Sequence, residues 1–171
     1  MIMSLSLSTD IPNEINKMLL LRILIFSLIL FWCLGFSITS FFPDSIFMVF
    51  YPFLKHIYSF VCHQVDYKTI RVNDIHFLVC ARCTGIYFGT LMTSLIFIFY
   101  YTNSDISSKF LFFAAAPMIL DIIFYSTGIY DYSAAISFST GIIFGSTAIV
   151  YILIVLQKYF FKNLTVPDDI I

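Results

Sequence analysis

Charge is what this chain has least of. Asp, Glu, Lys and Arg make up 11% of its 171 residues, against 60% hydrophobic residues and a mean hydropathy of +0.96. A soluble domain carries about a quarter charged residues, so this chain lacks the polar surface that would cover a globule in water. With a net charge of −1 and no basic cluster it has no footprint for nucleic acid. It also lacks a phosphate-binding glycine loop, a dinucleotide fingerprint and a catalytic serine elbow. What it has in quantity is aromatic: 21 Phe and 11 Tyr, rings that suit both the hydrocarbon core and the headgroup belt of a bilayer.

A bilayer crossing takes about 20 mostly apolar residues. Four stretches meet that length: 18–42, 83–101, 110–128 and 134–156. The first outruns the ~7–15-residue apolar core of a secretory signal and no small-x-small cleavage pattern follows, so it is expected to be a retained anchor. Segment 44–64, "DSIFMVFYPFLKHIYSFVCHQ", is apolar too, but Pro52, Lys55 and His56 fall at its centre. A lysine and a helix-breaking proline at mid-bilayer are costly. This segment is expected to form one or two short helices at the interface, under the bundle. In 68–80, "KTIRVNDIHFLVC", apolar and polar residues alternate on either side of Asn73-Asp74, which reads as a short hairpin. The polar ends, 1–16 and 163–171, are expected to be loose. The expected fold is an all-α integral membrane protein. It forms a single membrane domain over 1–171, with four transmembrane helices and a helix-plus-short-hairpin insert, 43–82, between spans one and two.

Lysines and arginines near span ends set orientation. Lys17, Arg22, Lys109, Lys158 and Lys162 fall on the side of the termini, and Lys55, Lys68, Arg71 and Arg82 on the other. Five against four places both termini in the cytoplasm and the insert outside, in a multi-pass protein of the cell (inner) membrane. A crossing by 44–62 would carry the C-terminal lysines outside, against the same rule.

The insert and the first residue of span two hold three of the chain's four cysteines. Cys62 and His63 precede the hairpin; Cys80 and Cys83 follow it, at the start of span two. Closing the hairpin brings the two pairs together. Three thiolates and an imidazole are a tetrahedral zinc environment, and a Cys-x-x-Cys pair lets two sulfurs reach one ion from a helix start. The helix N-terminus also favours the thiolate. Metal ligation by Cys62, His63, Cys80 and Cys83 is therefore the leading expectation, with zinc or another divalent metal as the cofactor. His76 is an alternative to His63, since adjacent residues rarely ligate one ion, and water is an alternative at one position. The same sulfurs suit a thiol-disulfide oxidoreductase working through Cys80 and Cys83 with Cys62 as the resolving thiol, although the usual second cysteine pair is missing. They also suit simple space filling, the natural account of Cys33 inside span one. A non-catalytic accessory or assembly subunit is a third class.

Within the membrane, "TGIYFG" (84–89) and "TGIIFG" (140–145) repeat a glycine pair four apart. Gly85/Gly89 and Gly141/Gly145 open grooves for close backbone approach. They predict central packing of spans two and four, or a homodimer or membrane partner seated on those faces. Asp121 lies about seven residues, roughly 10 Å, inside the end of span three. An ionisable group at that depth has a partner; Arg82 is the first candidate, with Thr84 or a bound cation as others. Arg82 and Asp121 are also the candidate catalytic residues if the protein is an enzyme. Pro117 stands one turn before Asp121.

"CHQ" at 62–64, a 15-residue spacer and "CARCTGIYFG" at 80–89 resemble the signature of a bacterial membrane family catalogued as domain of unknown function 2085. The resemblance runs from Cys62 to Gly145 and takes in Pro117, Asp121, Gly128, Thr140 and Gly141. It implies the fold and the choice of site, and supplies no reaction. The chain departs from the family pattern at Lys68-Thr69 (Arg-Ser), Ile122 (Gly), Tyr125 (Gln) and Ser137 (Arg). The Cys/His half is kept and the polar half near span three is thinned.

Overall fold

The computed structural model describes residues 7–42, 46–72, 75–99 and 107–160. Five α-helices and one two-stranded antiparallel sheet follow in chain order: α1 (Leu7–Phe41), α2 (Tyr51–Ser59), β1 (Thr69–Val72), β2 (Ile75–Cys80), α3 (Ala81–Phe99), α4 (Ser108–Ser126) and α5 (Ala134–Phe160). Short 3-10 turns precede α2 and β1. Four helices are long and apolar enough to cross a membrane: α1 over Asn16–Phe41, then α3, α4 and α5. The fold is all-α and membrane-embedded, as expected. Helix α1 begins earlier than expected, at Leu7, so much of the N-terminal polar stretch is helical. The segment 161–171 and the Asn73-Asp74 turn lie outside the described residues.

The insert follows the expected plan. A five-residue 3-10 turn, Ile46–Phe50, leads into the nine-residue α2, with Pro52 in its first turn where a missing N–H costs nothing. Nine residues span about 14 Å, less than half a hydrocarbon core. Arg71 faces His76 and Val72 faces Ile75 across the hairpin, and Thr69 pairs with Cys80, with an irregularity between Thr69 and Arg71. Phe36 of α1, Tyr58 of α2 and Phe77, Leu78 and Val79 of β2 form a buried apolar cluster that fastens the insert to the first span. Tyr58 Oη donates to the Trp32 carbonyl at 2.7 Å, and Ser40 Oγ to the His76 carbonyl at 3.3 Å.

Helices α3 and α5 form the central pair, α1 packs on α3, and α4 packs on α5. The glycine repeats explain the pairing. A Cβ placed on Gly141 would stand 2.5 Å from the Arg82 carbonyl oxygen, and one on Gly89 2.5 Å from that of Ile142. Gly85 and Gly145 are as tightly opposed, by the backbones of Phe138 and Ile86. The two motifs therefore fill each other's grooves. Gly85/Gly89 and Gly141/Gly145 thus cover each other within one chain, the central packing of spans two and four that their spacing predicts. Gly141→Ala is expected to lower stability by about 1–3 kcal/mol through overpacking against backbone that cannot swing away. Thermal unfolding in detergent reads this, and an unchanged midpoint would contradict the crossing geometry.

Two polar ties brace the ends of the helices. Arg22 of α1 is 4% exposed and donates to the Phe97 carbonyl of α3 at 2.6 Å. The Gln157 carbonyl of α5, in the amide orientation that satisfies both groups, accepts from Arg22 Nε at 3.3 Å. A charge counted toward orientation is thus also a clamp on three helices. At the opposite end, α4 runs unbroken through Pro117 and stops in a Schellman motif. Gly128 takes φ +72, its N–H reaches the Tyr125 carbonyl at 3.2 Å, and the Ile129 N–H reaches that of Phe124 at 3.0 Å. That reversal turns Tyr130 back toward α4.

Candidate metal centre

Three segments deliver the sulfurs. Cys62 lies just past α2, its N–H bonded to the Tyr58 carbonyl at 3.0 Å. Cys80 is the last residue of β2 and Cys83 the third of α3, with no linker between strand and helix. The chain between Cys62 and β1 is held by Gln64, whose φ of 49 is left-handed. Its side-chain amide donates to the Lys55 and Leu78 carbonyls, each at 2.9 Å. Gln64 therefore staples the end of α2 to β2 and fixes the reversal that aims Cys62 at the hairpin.

The Sγ atoms of Cys62, Cys80 and Cys83 lie within 4.8 Å of one another. Sulfurs placed tetrahedrally around zinc at about 2.3 Å stand about 3.8 Å apart, so the spacing suits a shared ion. Cys62 Sγ also accepts the Cys80 backbone N–H at 3.1 Å. Its pKa falls from 9.0 to about 2, chiefly because the Cys80 and Cys83 side chains hydrogen-bond to it. Burial opposes the shift, and backbone N–H groups at Gln64 and Cys80 add to it. Cys80, the donor in that exchange, is raised. The local field thus concentrates negative charge on one sulfur with two more thiols beside it, which is what a soft cation or an electrophilic sulfur meets.

The histidines depart from expectation. His63 is exposed and is not part of the group. Its neighbour Cys62 is buried. His76 does not replace it. Its Nε2 lies 3.0 Å from Arg71 Nη2, which can only donate, and its Nδ1 lies 2.5 Å from Thr69 Oγ1. Both ring nitrogens are thereby committed within the hairpin. Among the described residues no fourth His, Cys, Asp or Glu joins the three sulfurs. Cys33 stays apart, within hydrogen-bond reach of the Tyr87 carbonyl at 3.8 Å.

One residue separates the cysteine site from the intramembrane carboxylate. Arg82, between Cys80 and Cys83, meets Asp121 Oδ2 at 2.5 Å, as the depth of Asp121 led us to expect. The side chains are 23% and 3% exposed. Ser137 Oγ donates to the same oxygen at 2.9 Å and accepts from Arg82 Nη2 at 3.2 Å. Tyr130 Oη donates to Asp121 Oδ1. The carboxylate is thus satisfied on both oxygens, and α3, α4 and α5 are joined through it. Gln64 and Tyr130 were missed in the sequence. Gln64 sits inside the quoted "CHQ", but nothing in its type announces a staple. Tyr130 depends on a reversal that only Gly128 hints at.

Beside this network Lys68 sits among three rings, with Nζ 4.5 Å from the Tyr125 centroid, 5.3 Å from Tyr67 and 5.7 Å from Tyr132. Lys68 and Tyr125 meet as a cation–π pair.

Residues 62–151 match the family of predicted membrane proteins DUF2085. An uncharacterized protein of Methanocaldococcus jannaschii is 33% identical over 113 residues, covering 64% of this chain and 72% of that protein. No solved structure matches. The family match begins at Cys62, takes in the three clustered sulfurs, Arg82 and Asp121, and extends into the last span; the chain belongs to the DUF2085 family of predicted membrane proteins.

Proposed function

We propose that the chain is a membrane-embedded metal-binding protein whose Cys62, Cys80 and Cys83 hold one zinc or similar thiophilic divalent ion. The fourth position is open to water or to an incoming ligand. The observation that carries this reading is the convergence of three sulfurs from α2, β2 and α3 to within 4.8 Å. Three protein donors with one open position is the arrangement of catalytic and exchangeable zinc sites rather than closed structural ones. The Arg82–Asp121 pair supports the site from below, holding the turn that carries both Cys80 and Cys83. By the positive-inside count we place the insert on the extracytoplasmic side of the cell membrane. Elemental analysis of protein purified in detergent, without chelator and with a reductant, is expected to give about one metal per chain. A membrane-impermeant maleimide is expected to reach the insert thiols of intact cells once the metal is chelated. Sub-stoichiometric metal under those conditions would overturn the metal reading, and labelling only after lysis would overturn the orientation.

A second reading rests on the same three sulfurs standing within 4.8 Å of one another, close enough for thiol–disulfide exchange among them. In a thiol-disulfide oxidoreductase Cys80 and Cys83 would close a disulfide by exchange with a partner's disulfide, which leaves as two thiols, and Cys62 would serve as the resolving thiol. Thiol trapping in growing cells separates the two: an oxidant-responsive Cys80–Cys83 disulfide favours exchange chemistry, and uniformly reduced thiols favour the metal.

A further inference from the structure

Between α1 and α2 lies a half-open cavity of about 340 Å³. Trp32, Gly35, Ile38, Leu54, Ile57 and Tyr58 wall it, and the exposed Phe31 and Leu34 border it. Its volume lies within the range of about 300–1,000 Å³ typical of ligand pockets. It equals roughly eleven waters at about 30 Å³ each, but a water needs two to four polar partners. The walls offer none: the Tyr58 hydroxyl is committed to the Trp32 carbonyl at 2.7 Å and the Trp32 Nε1 atom is covered.

The cavity is continuous with lipid-facing surface. Leu20, Leu24, Leu28 and Phe31 are 67%, 55%, 62% and 79% exposed. They recur at helical spacing on one face of α1, and the same spacing continues into Gly35 and Ile38. The stripe from Leu20 to Gly35 is about 22 Å long, and it ends in the cavity close to the insert end of the span. Gly35 is where the stripe becomes a recess, since a Cβ there would collide with the Tyr58 hydroxyl.

We propose that this groove holds one acyl chain of a phospholipid from the leaflet on the insert side, as a resident ligand distinct from the exchanging lipid around the protein. The chain's first methylenes fill the recess under α2 and the remainder lies along the α1 stripe. Trp32, Leu54 and Tyr58 belong to the apolar cluster that also packs Cys62, Cys80 and Cys83. The lipid therefore props α2, and through it the segment that presents Cys62. The proposal does not depend on whether the sulfurs hold a metal.

Trp32 is the chain's single tryptophan, so its fluorescence reports on the groove directly. The full-length protein would be reconstituted in phospholipid vesicles with part of the lipid brominated along its acyl chains. Quenching of Trp32 is expected to fall by about half in an Ile38→Phe/Ile57→Phe protein, whose added rings take the place of the lipid contacts. Native mass spectrometry of the wild-type protein is expected to retain one phospholipid mass per chain, and the filled variant to lose it. Equal quenching in both proteins would mean annular lipid only and overturn the proposal. So would a wild-type protein released without lipid, or with a bound mass that is not a phospholipid. The wild-type measurement stands alone if the variant does not fold.

Discussion

Cys62→Ser is expected to empty the metal centre, taking metal content from about one per chain to near zero. Cys62 is the sulfur on which the other two converge, and it alone comes from outside the β2–α3 segment. Cys80 and Cys83 alone would offer the ion two donors, and a hydroxyl is a poor replacement for a thiolate toward a soft cation. His63→Ala is expected to keep its metal, because that imidazole is exposed and apart from the sulfurs. Cys33→Ser is likewise expected to be silent. Elemental analysis of the three variants separates the outcomes: metal retained in Cys62→Ser, or lost in His63→Ala, would contradict the three-sulfur site.

The second large effect is at Asp121. Asp121→Ala leaves the Arg82 guanidinium partly buried without its counter-charge, and removes an acceptor from Ser137 and Tyr130 at once. Removing one partner of a buried pair costs about 3–5 kcal/mol, enough to unfold a marginal membrane domain on gentle heating. Asp121→Asn is expected to cost less, since an amide keeps some of these hydrogen bonds. An Arg82→Met/Asp121→Leu protein is expected to recover most of the stability, because a matched apolar pair carries no desolvation cost. Thermal midpoints of these proteins and of the Arg82→Met and Asp121→Leu single variants test this, and a double variant as unstable as the sum of those two singles would show that the pair does more than satisfy itself.

The membrane made much of this legible. In hydrocarbon a lone carboxylate is so costly that Asp121 had to have a partner, and the arginine at the mouth of the preceding span was the one within reach. The spans followed from the length of apolar runs, and segment 44–64 reads as non-spanning because Lys55 and Pro52 sit at its centre. The glycine repeats told which faces are small but not what lies on them. Whether Gly85/Gly89 meets Gly141/Gly145 or another molecule depends on how α3 and α5 cross, which residue spacing does not encode. His63 was misplaced for a related reason: a pair of adjacent candidate ligands says nothing about which of the two faces inward. That choice is made by the left-handed backbone at Gln64. Left-handed backbone is commonly glycine's, and here the residue is a glutamine whose side chain happens to fit two carbonyls.

The direct passage from β2 into α3 has a mechanical consequence. With no hinge residue between Cys80 and Ala81, hairpin and span form one lever, while Cys62 hangs from a separate arm. Tilting a 19-residue helix by about 5° around its midpoint moves its end by about 1 Å, close to half a metal–sulfur bond. Helices tilt when the bilayer thins or thickens around them. The gap between the lever's two sulfurs and the third is thus expected to follow the slope of α3 as far as the Gln64 staple between α2 and β2 yields, which would make bilayer thickness an input to the sulfur site.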